Sequence, residues 1–245
     1  MSNRIIQGYD GSINAPTSAV GSKVKRRGHK KEDVYAERTG GTVIKGKQKP
    51  DVKVDNYMDS VKGASKNIQL LLSSINQVDV YYDKDNPLNI YQRSAYKYRK
   101  FKKDNNNAKN LDLFECFIKH AKEVAEYLRN KKNFRNVIQK VFCNDYEADR
   151  LVILKEITEE AYRYNMTDVV DLYVNSNYEV HVTEGGKIVV RAGAVQSEKK
   201  NDRELEIFYI ETRGGKNLGG MNHGVRSDKL YIFLKENLNY DVIPA

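Results

Sequence analysis

A chain of 245 residues, 40% apolar and 31% charged, is long enough to bury a core of its own and too apolar to read as disordered. Its formal charge of +9 favours polyanionic partners, nucleic acid before an anionic membrane. Cys116 and Cys143 lack any CxxC spacing and no apolar run reaches membrane-spanning length, so a disulfide framework, a zinc knuckle and a membrane span are all excluded as expectations.

Residues 1–22 are polar and without period, and are expected to form a flexible arm. The remainder, 23–245, reads as a single domain. MSNRIIQGYD at the start has no signal-peptide core, so a cytoplasmic location is expected. SKVKRRGHKK, 22–31, places six Lys or Arg together, as a solvated face or a phosphate footprint. GHKKEDVYAER predicts a short helix closed by Gly40-Gly41, and TVIKG a first strand. DVKV and YMDSVK alternate around Asp55-Asn56, the pattern of an antiparallel hairpin.

Ile68, Leu71, Leu72 and Ile75 recur at helical spacing, which puts Gln69 on a helix edge. SAYKYRKFKKDNNN, 94–107, reads as a basic, tyrosine-rich loop. Phe114, Phe117, Ile118, Ala121, Val124, Ala125 and Leu128 form one helical stripe. Helical character is expected to continue through FRNVIQKVF, EADRLVILKEI and EEAYRYNMTDVVDLYV to about residue 174. From 178 the period becomes two: YEVHVTEGGKIVVRAGAV is a hairpin with a Gly-Gly turn, and LEIFYIETR and KLYIFLK are strands joined by GGKNLGGMNHGVRSD. The fold class is mixed α/β. Its core lies over about 28–80, its helical region over about 108–174, and its C-terminal β region over about 178–245.

The hairpin carries the chemistry. Hydrolysing a phosphodiester requires an activated water and neutralised charge at phosphorus, which carboxylate-held Mg²⁺ supplies, with a lysine to orient the water or stabilise developing charge. Asp51 opens the first strand, and Ser60 and Lys62, two apart, share a face of the second. Pairing across Asp55-Asn56 makes Asp51, Ser60 and Lys62 converge. The Val61 carbonyl between them is a further oxygen ligand, and Glu32 on the upstream helix a second acid, with Glu37 its rival.

KPDVKVDNYMDSVKG, 49–63, resembles the PD-(D/E)XK motif of the nuclease superfamily that includes many type II restriction endonucleases. Pro50-Asp51 matches the first half, and Ser60-Val61-Lys62 occupies the second, with serine in place of the motif's second acid. The likeness covers roughly residues 28–75. It implies a central mixed sheet flanked by helices, Mg²⁺ dependence, and cleavage of double-stranded DNA. Asp51 and Glu32 would hold the metal with the Val61 carbonyl, Lys62 would position or deprotonate the attacking water, and Ser60 would shape the site. The missing acid raises the importance of Glu32.

DNA contacts are expected from Gln69, from Lys97, Arg99 and Lys100 interleaved with aromatic rings, and from Arg213, Lys216, Asn217, Asn222, His223 and Arg226 in the glycine-rich segment. Cutting both strands calls for two active sites, so a homodimer, at least on DNA, is expected. Two rival readings remain: a phage or repair nuclease reading DNA structure, and a DNA-binding protein without catalysis.

Overall fold

The computed structural model describes residues 30–44, 50–63, 67–143, 147–155, 160–192, 205–214 and 218–244. The proposed arm and most of the 22–31 basic cluster lie outside them, as do Lys216 and Asn217. Helix α1 covers residues 30–39, followed by β1 (Thr42–Val43), β2 (Val52–Val54), β3 (Tyr57–Gly63) and β4 (Asn67–Ser73). A 3₁₀ turn at Ile75–Gln77 leads into the short α2 (Val78–Tyr81), then α3 (Pro87–Asp104), α4 (Leu111–Arg129) and α5 (Lys131–Cys143). Strands β5 (Arg150–Leu154) and β6 (Ala161–Asn165) precede α6 (Met166–Asn175). The chain continues through β7 (Tyr178–Val182), β8 (Ile188–Ala192), β9 (Leu205–Thr212) and β10 (Met221–Arg226) to α7 (Ser227–Asn237) and β11 (Asp241–Ile243).

Among the described residues the strands make two sheets. The first runs β1-β2-β3-β5-β6-β11 and is mixed, because β3 and β5 are parallel while its other pairs are antiparallel. The second runs β4-β10-β9-β8-β7 and is antiparallel throughout. A large core joins them through α3, α4, α5, α6 and α7, with Phe117, Leu128, Phe134, Tyr173, Phe208 and Leu234 among its fully buried members. A smaller core lies between α1 and the first sheet, built from Tyr35, Ala36, Val52, Val54, Val61, Val152, Leu154 and Ala161.

The mixed architecture, the Asp55-Asn56 hairpin and the Gly-Gly hairpin follow the sequence reading. Asp55 takes φ 53°, the left-handed conformation that a two-residue hairpin turn demands and that Asp tolerates better than most residues. Gly186, at φ 78°, closes the β7–β8 turn against α4, where an added Cβ would lie 2.5 Å from the Phe117 ring.

Several segments depart from it. Residues 67–73 form β4, not a helix: Ile68 and Leu70 are buried at period two, and pairing with β10 decides a run that periodicity leaves ambiguous. Residues 94–104 belong to α3 rather than a loop. Asn86 caps that helix by accepting from the Leu88 N–H at 2.9 Å, Pro87 opens it, and Leu88, Tyr91 and Ala95 face the core. EADRLVILKEI supplies β5, and AYRYN supplies β6, because Leu151 to Leu154 are buried on both faces of a sheet. KLYIFLK lies in α7, which buries Leu230, Phe233 and Leu234 at helical spacing.

One buried ion pair fixes β3 in this frame. Asp59 is fully buried, accepts from Arg150 Nε at 2.6 Å and Nη2 at 3.0 Å, and takes the Tyr35 hydroxyl at 2.7 Å. Burial, reinforced by the Asp59 hydrogen bond and charge, pushes the Tyr35 phenol far up, so it stays a donor. Arg150 also covers the Tyr57 ring, 4.1 Å from its centroid. The cluster ties α1, β3 and β5 together at one point. Arg150→Ala strands the Asp59 carboxylate in the core and should cost about 3–5 kcal/mol of unfolding free energy in a urea titration; a loss below about 1 kcal/mol contradicts this role.

Candidate active site

The β2–β3 ladder ends with the pair Val52–Asp59, and the Asp51 N–H reaches back to the Asp59 carbonyl at 2.9 Å. The next β3 donor, the Val61 N–H, lies past the end of β2. The Asp51 side chain meets it: Oδ2 accepts from Val61 N at 2.7 Å. The same oxygen accepts from Lys62 Nζ at 2.8 Å and, more weakly, from Ser60 Oγ at 3.4 Å. Lys62 Nζ also donates to the Val61 carbonyl at 3.2 Å. Asp51, Ser60, Val61 and Lys62 therefore meet, as their spacing predicts. The ion pair is neither open nor sealed, with 15% of the lysine side chain and 18% of the aspartate side chain exposed.

The opposite face of β3 is differently occupied. Asp59, Val61 and Gly63 point toward α1, whose Tyr35 bonds Asp59 and whose Lys31 side chain lies on Gly63. Glu32 sits half-buried on α1 one turn before Tyr35, and Glu37 is exposed. Asp51 and Lys62 bond to each other and to β3, and neither bonds to Glu32.

Among the described residues no three His, Cys, Asp or Glu side chains gather as a metal cage. The donors here are of another kind: a carboxylate, a backbone carbonyl and a hydroxyl, all hard oxygens suited to Mg²⁺. Among the described residues the hydrogen bonds of Asp51 all go to Oδ2, which leaves Oδ1 without a partner there. This oxygen and the Val61 carbonyl, which Lys62 links to the same carboxylate, are the donor types that a divalent cation takes.

The expected DNA contacts divide. Lys97 is exposed on α3, and Lys100 is exposed and paired with Asp104. Arg99 turns inward, and its Nη2 donates to the Thr212 carbonyl at 3.0 Å and hydroxyl at 3.1 Å. Burial lowers the pKa of its guanidinium. Gln69 lies half-buried in β4 beside Gly224. Asn222 and His223 are not on a loop: both are fully buried in β10, where His223 Nε2 meets the Tyr82 hydroxyl at 2.9 Å. Arg213 pairs with Glu211 at 3.0 Å, and Arg226, 45% exposed at the end of β10, pairs with Asp228 at 3.7 Å. Strand alternation puts Asp59 on the far face of β3, where sequence reasoning did not find its partners. Arg150 was read inside a helix, and Tyr35 gave no signal of its own.

No family model matches the chain, and no curated protein matches it. No helix among the described residues is long and apolar enough to cross a membrane.

Replacing Asp51 by alanine removes the acceptor from Val61 N–H and Lys62 at once and should destabilise the fold by about 1–3 kcal/mol. Ser60→Ala breaks only the long contact and should cost under about 1 kcal/mol. Chemical denaturation of both variants reads the difference, and equal losses would contradict the assignment of Oδ2 as the shared acceptor.

Proposed function

We propose that this chain is a Mg²⁺-dependent endonuclease that cleaves short specific sites in double-stranded DNA, in the manner of a type II restriction enzyme. The observation that carries the reading is the 2.8 Å contact of Lys62 with Asp51 beside the Val61 carbonyl. It is supported by the mixed sheet flanked by helices, which the PD-(D/E)XK resemblance implies, and by the charge of +9.

Asp51, through its open Oδ1, and the Val61 carbonyl would hold the cation, with Ser60 shaping the site and Glu32 as the candidate second acid. When bound, Mg²⁺ neutralises charge at the phosphorus and makes water more acidic. Lys62, as an ammonium, has three protons to donate, and two meet Asp51 and the Val61 carbonyl. The third is left to orient the attacking water or to stabilise charge on a non-bridging phosphate oxygen. Asp51 fixes the lysine with Oδ2, and its other oxygen would be the one offered to the cation. A homodimer on DNA would place one such site at each strand.

Ser60 in place of a second acid favours the non-catalytic reading, and incubating phage DNA with and without Mg²⁺ separates the two. Magnesium-dependent discrete fragments with one repeated end sequence are expected. A smear or junction-specific cuts support a structure-specific nuclease, and no cutting leaves a DNA-binding protein. Asp51→Asn and Lys62→Ala should each lower the cleavage rate about 100-fold or more while gel-shift affinity stays within a few-fold. Near-normal cutting by either variant refutes the assignment. Millimolar Mg²⁺ should raise the melting temperature of the wild type and not that of Asp51→Ala; equal shifts would place the cation elsewhere.

A further inference from the structure

The strand register brings a second cationic cluster toward Lys62. Lys62 is the partner of Ile153 on β5, and Ile153 is the partner of Tyr162 on β6. These three positions form a row on one face of the first sheet, with Tyr162 about 10 Å from Lys62 at ordinary strand spacing. Lys155 lies two residues past Ile153, so it continues that face toward the end of the sheet where Lys62 stands. Helix α7 covers this corner. Its Tyr231 meets Tyr162 edge to face with ring centroids 5.0 Å apart.

Two ammonium groups converge on these rings. Lys155 Nζ lies 4.1 Å and Lys235 Nζ 5.5 Å from the Tyr231 centroid, and each lies 5.8 Å from that of Tyr162. Neither lysine has a carboxylate within ion-pair distance among the described residues. The adjacent Glu160 accepts from the Tyr162 hydroxyl at 2.7 Å. Burial raises the Tyr231 phenol, yet the opposing influence of Tyr162 and of both ammonium groups leaves it below its usual value. Tyr231 first, then Tyr240 and Glu160, raise the pKa of the Lys235 ammonium, so the corner sets two ammonium groups against the one Glu160 carboxylate described beside them and is net positive. The ring faces soften the repulsion between the lysines without cancelling it, and an anion between them would.

We propose that Lys155 and Lys235, set around Tyr231, form a phosphate-binding subsite for the DNA strand whose scissile phosphodiester lies at Asp51 and Lys62, an assignment that rests on the nuclease reading of that pair. A separation of about 10 Å, two strand spacings between the Lys62 and Tyr162 backbones, is short enough for one nucleic-acid strand to reach both places. A strand held at both places is fixed in direction across the sheet end. The contact is with backbone phosphate and therefore adds affinity and register, not sequence preference.

The test compares Lys155→Ala/Lys235→Ala with Lys131→Ala/Lys132→Ala, which removes the same charge from exposed positions on α5. Binding to a random-sequence duplex is followed by fluorescence anisotropy in EDTA across a salt series, beside plasmid cleavage in Mg²⁺. The subsite variant should bind about tenfold more weakly, with the slope of log affinity against log salt reduced by about 0.9 to 1.8, while the α5 variant keeps the wild-type slope. Exposed Lys235→Glu, which leaves the core intact, should weaken binding in the same direction if the double variant misfolds. A wild type that cuts and binds while both subsite variants match it overturns the subsite alone. A wild type that neither cuts nor binds overturns the subsite and the nuclease reading together.

Discussion

A side-chain carboxylate takes over from a backbone carbonyl at the end of the β2–β3 ladder, and the candidate site is built around that exchange. The Asp51 Oδ2 holds the Val61 N–H at 2.7 Å, so the acid is located by main-chain geometry before any cation or substrate arrives. Because Lys62 follows Val61 directly, its ammonium has the same oxygen within reach. The register that makes this possible is set by a turn of two residues, one of them in the left-handed region. Preorganisation of this kind lowers the reorganisation that a reacting charge would otherwise require.

Two aspartates eight positions apart show how environment divides one chemistry into two roles. Asp59 has both oxygens committed to Arg150 and Tyr35 and is closed to solvent, so it acts as a tie between helix and sheet. Among the described residues Asp51 bonds through one oxygen, and its side chain keeps a route to water. Strand alternation separates them: the first belongs to the α1 side of the sheet, the second to the side where Ser60 and Lys62 stand.

What could be read from the residues alone was whatever is local. The hairpin was legible because its alternation and its turn residues agree, and with it the meeting of Asp51, Ser60 and Lys62. The stripe from Phe114 to Leu128 was legible as the helix α4 for the same reason. Runs whose partners are distant were not. NIQLLLS satisfies a helical and a strand period at once, and only β10, some 150 residues later, decides it. RLVIL is apolar throughout because it is covered on both faces, a pattern that a buried helix segment shares. Arg150 was therefore hidden as the partner of Asp59. In α3 the many lysines and tyrosines masked an inner face of Leu88, Tyr91 and Ala95. Asn222 and His223 look like groove-reading side chains, but two flanking strands enclose them.

The inner face of α3 also braces the segment between β9 and β10. Gln92 donates to the Gly219 carbonyl at 2.7 Å, Arg99 grips Thr212, and the Tyr96 ring lies where a Cβ on Gly219 would come within 2.6 Å. Three successive turns of one helix thus clamp both ends of a glycine-rich connection. At Gly219 the missing side chain lets the main chain lie flush against the Tyr96 ring. Lys97 stands on the outer side of the same helix, so a tilt of the rod would carry its ammonium and the described ends of that connection together.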